Sequence, residues 1–459
     1  MLQIQQGSKA RNCQGMTRRS ALKAGFLGLT GLTLPDLLRL RAEGSAPKKD
    51  TAVILLWLDG GPSQLETYDP KPDAPAEYRG PFGTIKTNVI GMHLSETLPL
   101  HAKHADKMIF VRSVHHDTGD HFAGAHWMLT GRFGSTAAKV LPQIYPSVGS
   151  YAAKVRGPNR AGLPAYVGLP AAQSVYLFPG YQGAAYLGPA YNPFDVDREQ
   201  KYLGATYNVK VGFPRSLQSL LTTSAERTHG QMKLLQSFDK VRRDLDQSGT
   251  MDTLDQFQQQ AIEMITSSKA RAAFDIEKED PRLADRYGRG PWGQYTLMAR
   301  RLVEAGVTFV TVDMPHWDDH SNIKEGHGSK LPHVDRAVSA LLDDLKGRGL
   351  LDQVLVVVMG EFGRTPRINK GQPGIPIPGR DHWGSAISVL LAGGGLKLGQ
   401  VVGATNARAE YPINRALKPC DILATVYHVL GIDPTLTFKD HSGRPHTIMD
   451  EGKVIKEVV

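Results

Sequence analysis

Apolar, β-branched runs recur along the chain, and each one borders polar chemistry. Ala52-Val53-Ile54-Leu55-Leu56-Trp57-Leu58 leads into Asp59-Gly60-Gly61-Pro62-Ser63, and Met108-Ile109-Phe110-Val111 leads into Ser113-Val114-His115-His116-Asp117. Val307-Thr308-Phe309-Val310-Thr311-Val312 leads into Asp313 and then His316-Trp317-Asp318-Asp319-His320. Val354-Leu355-Val356-Val357-Val358-Met359 leads into Gly360-Glu361-Phe362-Gly363-Arg364, while Ile387-Ser388-Val389-Leu390-Leu391 follows Arg380-Asp381-His382-Trp383. Runs of this kind predict parallel strands buried on both faces. Helical periods lie between them at Tyr295–Ala305, Leu331–Arg348 and Asp421–Leu430; the second puts Val334, Val338, Leu341, Leu342 and Leu345 on one stripe. Strand–helix alternation predicts an α/β fold, a doubly wound, mostly parallel sheet flanked by helices. Ligands of such sheets bind beyond the carboxyl ends of the strands, which is where this chain keeps its carboxylates and imidazoles.

Two regions depart from that pattern. From about 145 to 300 the chain is first rich in Gly, Pro and Tyr, then polar and helical, including Gln256–Ile265. This predicts an insertion or cap within a domain spanning 47–459. At the other departure, Thr17-Arg18-Arg19-Ser20-Ala21-Leu22-Lys23 precedes the apolar run Ala24–Leu34. Paired arginines before a short apolar segment predict a twin-arginine signal peptide over 1–46, with the twin-arginine export machinery as partner and a periplasmic or cell-envelope destination. No apolar run reaches the ~20 residues of a membrane span.

Composition changes the picture in three places. The net charge of +9 suggests a polyanion partner, but residues 1–46 hold seven Lys/Arg against two acids, so +5 of it sits in the signal. No basic block with interleaved aromatics occurs elsewhere, which argues against nucleic acid. Two cysteines, Cys13 and Cys420, exclude a disulfide scaffold and a Cys-rich metal site. Finally, of 16 histidines, eight fall within 115–126 and 316–333.

Neutral imidazoles with carboxylates are the usual ligands of Zn²⁺, Mn²⁺ and Fe, and their clustering at strand ends marks a metal site. The candidate ligands are Asp59, Asp318, His320, Glu361, Asp381 and His382, for a divalent Zn, Mn, Ca or Mg. Each has a plainer reading: a turn residue for Asp59, a solvated loop or helix cap for Asp318 and His320, an ion-pair partner of Arg364 for Glu361, a Pro/Gly-rich loop for Asp381 and His382. Asp117 and His121, four apart, would share one helical face. His126, His327 and His333 read as surface or packing residues. Arg364 has the planar fork that suits a phosphate or sulfate oxyanion.

The Arg18-Arg19 leader, Leu58-Asp59-Gly60-Gly61-Pro62-Ser63, Asp69-Pro70-Lys71-Pro72, Leu129-Thr130-Gly131-Arg132, Ala299–Val307, Trp317-Asp318-Asp319-His320, Gly360–Pro366 and Asp381-His382 together carry a resemblance over about residues 16–435. On them the chain is identified as a member of the bacterial domain-of-unknown-function family 1501, common in Planctomycetes and related phyla. That family resembles the alkaline phosphatase and sulfatase superfamily, which implies one or two divalent metals at the strand ends. In that resemblance Asp59 matches the Asp after the first strand. Asp318 and His320 fall where an Asp and a His bind one metal, at closer spacing than usual. Glu361 matches the Asp of an Asp-His-Gly motif, with Phe362 in place of its His, and His382 matches the later metal-binding His.

The sulfatase Cys/Ser-x-Pro-x-Arg motif is absent, which excludes formylglycine chemistry. Counting back from Leu129-Thr130-Gly131-Arg132 places His121 at the nucleophile position, and Thr118 is a nearby hydroxyl. Attack by metal-bound hydroxide is the alternative. The resemblance thus implies an exported metal-dependent hydrolase of phosphate or sulfate esters, acting on an anionic ester such as a sulfated or phosphorylated polysaccharide. Thr118, His121, His116 and Arg364 are its expected catalytic groups: a histidine to protonate the leaving oxygen, Arg364 to neutralise developing charge. A non-catalytic envelope protein of the same fold, binding anionic polysaccharide or a protein partner, stays open beside it. No G-x-G-x-x-G follows a strand, which excludes a dinucleotide enzyme.

Overall fold

A computed structural model describes residues 50–133, 144–172, 182–197, 204–205, 211–214 and 268–459. The signal peptide expected over 1–46 and the helix expected at Gln256–Ile265 lie outside these residues.

Eight strands form the central sheet: β1 (Ala52–Trp57), β2 (Ile109–Val114), β3 (Tyr166–Leu169), β4 (Phe194–Asp195), β5 (Phe309–Asp313), β6 (Val354–Met359), β7 (Ile387–Gly393) and β8 (Gln400–Val402). Their spatial order is β8-β2-β7-β6-β1-β5-β3-β4. β1 lies centrally, with Ile54 beside Val310 of β5 and Val356 of β6 in parallel register, and all six of its residues are buried. Five helices concern us: α1 (His121–Thr130), α2 (Val148–Arg156), α3 (Pro291–Ala305), α4 (Ile323–Gly347) and α5 (Pro419–Leu430). Successive side chains of a strand point to opposite faces, and β1 accordingly feeds two cores. Ile54 and Leu56 join Val310 and Val312 in one core that includes Leu302 of α3 and Val338 and Leu341 of α4. Val53 and Leu55 join Val357 and Leu391 in the other, with Met128 of α1, Tyr151 of α2 and Leu423 of α5. A strand buried on both faces has no polar face to show, hence the unbroken apolar runs.

Two expectations change. β7 runs antiparallel to both its neighbours, with Leu390 opposite Val358 on one side and Phe110 on the other. An apolar run reports double burial and carries no direction. The reversal matters: the start of β7 lies at the same rim as the ends of the other seven strands. Secondly, the stretch read as an insertion from 145 supplies α2 and the short strands β3 and β4 to the main body. Four residues containing a glycine, and then two residues, are too short to read as strands. Among the described residues no helix is long and apolar enough to cross a membrane.

Candidate metal centre

The rim at the strand ends gathers five chain segments. After β1 the chain turns through Gly60 and Gly61, both at positive φ (112° and 79°). A Cβ on Gly60 would stand 2.7 Å from the Trp317 backbone N and 2.8 Å from that of Asp318, and one on Gly61 would meet the Phe362 ring. Bare glycines therefore let the β1 turn close against the two loops beside it. After β2 the Asp120 side chain caps α1 by accepting from Ala123 N at 2.9 Å, which makes His121 the first residue of that helix. Asp117 precedes the cap and is exposed, so it shares no helical face with His121. After β5 the loop 316–322 carries Asp318 and His320, with left-handed backbone at His316 (φ 76°) and Asn322 (φ 51°). After β6 come Glu361 and Phe362. A two-residue ribbon, Gly363–Arg364 paired with His382–Trp383, presents His382 before β7.

Three imidazoles converge on Asp318. His382 Nε2 lies 2.9 Å and His320 Nε2 3.0 Å from Asp318 Oδ1, and the two imidazole nitrogens are 2.9 Å apart. His121 Nε2 lies 3.3 Å from Asp318 Oδ2. Each ring is held from behind through Nδ1. Glu361 Oε1 lies 2.7 Å from Nδ1 of His121, Asp381 Oδ1 2.7 Å from that of His320, and the Gly119 carbonyl 2.7 Å from that of His382. A metal-ligating histidine characteristically donates its other N–H to a carboxylate or backbone carbonyl; here three do so around one carboxylate.

The donor set fits a cation. A carbonyl only accepts, so His382 carries its proton on Nδ1. Burial, helped by the nearby Arg364 charge, holds His382 below its usual pKa and hence neutral, whereas the Asp318 hydrogen bond opposes this. Its Nε2 is then a lone pair facing the Asp318 carboxylate at 2.9 Å, acceptor against acceptor. A positive centre among these atoms turns that repulsion into attraction. The other two imidazoles answer the same carboxylate with protons, which a bound ion would displace. His320 is pushed up by its Asp318 hydrogen bond. His121, although burial opposes it, is raised to about 9 by Asp318 and Glu361. Burial would push Asp318 up, but the three imidazoles and Arg364 hold it well below the carboxylate range. Edges of 2.9–3.0 Å are slightly under the ~3.3 Å implied by tetrahedral ligands at ~2.0–2.1 Å from zinc. His121, Asp318 and His382 alone already form a group able to hold a metal ion.

A second set of donors lies deeper. Asp59, Asp313 and Glu361 are at most 1% exposed. Among the described residues neither Asp313 oxygen has a hydrogen-bond partner, nor has Glu361 Oε2. Burial, then the charges of Asp59 and Glu361, push the Asp313 carboxyl well above its usual value. Glu361 joins the two sets: its Oε1 faces His121 and accepts from Gly60 N at 2.8 Å.

The candidate residues thus separate by position. Asp318, His320, His382 and His121 meet. Glu361 and Asp381 stand behind them, and Asp59 lies with Asp313, its Oδ1 3.4 Å from Trp57 Nε1. His116 donates from Nε2 to the Glu361 carbonyl at 2.7 Å, accepts at Nδ1 from Thr118 N, and stacks on Trp127 at 5.4 Å. Burial lowers its pKa, so both nitrogens of a neutral ring are engaged by backbone. The Thr118 hydroxyl accepts from Asp120 N at 3.1 Å, at the start of α1. Arg364 is fully buried and its donors go to the carbonyls of Gly60, Gly61, Trp317 and Arg380 and to Asp318. It braces the loops and is closed to an external oxyanion, contrary to expectation.

Two residues escaped the sequence reading. Asp313 was visible only as the last residue of a strand; its signal is a carboxylate ending an otherwise apolar run. His327, read as a surface or packing residue, is fully buried and bridges two loops, with Nδ1 2.7 Å from Asp319 Oδ2 and Nε2 accepting from Ser63 N at 3.0 Å.

A family model described as "Protein of unknown function (DUF1501)" matches residues 50–459. The chain belongs to this family. No curated protein matches it. Among solved structures, this DUF1501 chain is similar to the PsFucS1 sulfatase from Pseudoalteromonas sp., at 12% identity over 86% of this chain and 70% of that one, with a TM-score of 0.39. It is similar to the phosphonate monoester hydrolase of Agrobacterium radiobacter, at 11% identity over 84% and 75%, with a TM-score of 0.38. It is also similar to the zinc complex of the C-terminal periplasmic domain of EcEptC from Escherichia coli, at 10% identity over 85% and 86%, with a TM-score of 0.38. Likeness this remote assigns the DUF1501 chain no activity.

Proposed function

We propose that this protein is an exported, metal-dependent hydrolase of phosphate or sulfate esters. One observation carries the metal reading: three histidines, each tied at Nδ1 by an outer acceptor, turn Nε2 toward one carboxylate. His121, His320, His382 and Asp318 would hold the first ion. Asp59, Asp313 and Glu361, all oxygen donors, would hold a second and harder one. An ion so held lowers the pKa of a bound water and stabilises charge on an ester oxygen.

The chain's own groups then have defined work. Glu361 and Asp381 fix the orientation and tautomer of His121 and His320, and the Gly119 carbonyl does so for His382. Asp318 is part-exposed, at 19% of its side chain, so the cluster opens to solvent and to substrate. With the Thr118 hydroxyl buried and accepting from Asp120 N, and Arg364 walled in, water is the nucleophile this arrangement favours over a side chain. His121 sits between Asp318 and Glu361, where it can hold a proton at Nδ1 throughout.

The experiment is metal analysis of the full chain alongside hydrolysis of an aryl phosphate and an aryl sulfate. Stoichiometric metal with turnover, both lost in Asp318→Ala, supports the proposal. Phe362, buried against His121 at 4.8 Å and His382 at 4.4 Å, puts an apolar ring where another ligand would sit, and so keeps a second reading in view. Bound metal without turnover on a broad ester panel favours a non-catalytic binder of anionic polysaccharide or protein. Absence of metal overturns both.

A further inference from the structure

Uncovered apolar side chains edge the mouth of the centre. Two loops flank the His382–Trp383 strand. The first, residues 370–378, is closed at its base by Asn369, whose Oδ1 accepts from Gly371 N at 2.9 Å and Gly379 N at 2.8 Å. Asn369 Nδ2 donates to the His320 carbonyl at 2.9 Å, which fixes this loop to the cluster. It carries Ile375 and Ile377, 48% and 45% exposed, among Pro373, Pro376 and Pro378. The second, residues 405–414, is fixed by Trp383 Nε1 donating to the Glu410 carbonyl at 2.7 Å, and carries Tyr411 and Ile413, 53% and 64% exposed. These four are half of the eight large hydrophobics exposed among the described residues. Single exposed apolar residues are ordinary, whereas a concentration beside a site marks an interaction surface.

Cations outnumber acids around them: Glu410 on the second loop is taken up by Asn406 Nδ2, and Asp381 after the first by His320. Residues 366–380 contain no Asp or Glu. Arg367 just before the first loop, Lys370 on it and Arg408 on the second are exposed, and none pairs with a carboxylate among the described residues. A hydrated polysaccharide would use such cations and leave the isoleucines bare. A second copy of this face would set unpaired cations against unpaired cations. An anionic lipid surface takes both: apolar tips enter the headgroup boundary while cations meet its negative potential. The prolines keep the first loop stiff, so less conformational freedom is lost on docking.

We propose that these two loops form a docking rim by which the protein seats on an anionic lipid surface with the His–Asp cluster facing it. The proposal stands whether or not the cluster is catalytic. Residues 1–46, with a net charge of +5, can themselves bring the full chain to a vesicle, so the test must be local. An environment-sensitive fluorophore is placed at Ile377→Cys in a Cys13→Ser chain. Cys420 is buried, which pushes its thiol up to about 11, so it stays unlabelled. The control is Ile90→Cys, a fully exposed isoleucine on a turn bonded to neither loop.

Phosphatidylglycerol-containing vesicles should raise and blue-shift emission at position 377 and leave position 90 unchanged; pure phosphatidylcholine vesicles should do neither. With Arg367→Gln, Lys370→Gln and Arg408→Gln added, the half-maximal lipid concentration should rise roughly fivefold per cation removed. Equal responses at both positions, no response at 377, or a 377 response indifferent to the three cations would overturn the docking rim.

Discussion

Glu361 shows how much one side chain does here. Its Oε1 receives Gly60 N and faces His121 Nδ1, its backbone carbonyl receives His116, and its Oε2 is buried with no hydrogen-bond partner among the described residues, its charge acting on Asp313. Glu361→Gln retains an oxygen for both donors, removes the charge behind His121 and replaces the second carboxylate oxygen with an amide NH2. Apparent metal affinity, measured by chelator competition, should fall about 10–100-fold while the fold persists; unchanged affinity would detach Glu361 from the centre. Arg364 makes the opposite prediction. Because its guanidinium is buried on four carbonyls and Asp318, Arg364→Gln should cost about 3 kcal/mol or more, read as a lower Tm even in metal-free protein. A group that only met substrate would lower activity and leave Tm alone.

At the scale of elements, loop 316–322 is the decisive piece. Its ends are two non-glycine residues in left-handed backbone, His316 and Asn322, and Asn322 starts α4. Asparagine tolerates that conformation and a β-branched residue does not. Asn322→Gly should leave both Tm and metal uptake near wild type. Asn322→Val should cost about 1–2 kcal/mol and weaken metal binding by displacing His320, as thermal melts paired with metal titration would show.

The sequence made β1, β2, β5, β6 and β7 legible, because double burial writes itself as an unbroken apolar run, and it made α3, α4 and α5 legible through their stripes. The direction of β7 and the existence of β3 and β4 were not, since direction leaves no mark on composition and short strands leave no period. The site was legible to the same degree. Asp318, His320 and His382 stand out as chemistry beside strands. The distinction between facing an ion and standing behind its ligands depends on distances of 2.7–3.3 Å across hundreds of residues, and Arg364 looked available only because its carbonyl partners have no signature in sequence.

Over the whole molecule, acid sensitivity should trace partly to ion pairs among the helices. Glu279 accepts from Arg301 at 2.7 Å and also binds Arg300, both on α3. Burial would push its carboxyl up; the two guanidiniums outweigh this and hold it below its reference value of 4.5. Its folded pKa is therefore the lower one. The stabilisation is complete above about pH 4.5 and disappears as pH falls through the folded value. Glu279→Gln should lower stability at neutral pH by roughly 2 kcal/mol and flatten the loss of Tm on acidification; parallel Tm–pH curves would remove Glu279 from that account. The reversed strand has its own consequence at this scale. β7 lies between β2 and β6, so among the described residues it bridges the β8-β2 pair and the other five strands of the sheet. Until residues 387–393 emerge from the ribosome, the β2 and β6 edges they cover stay bare. Since His382 lies just before that strand, a cation held by His121, Asp318 and His382 would have to wait for the same late segment.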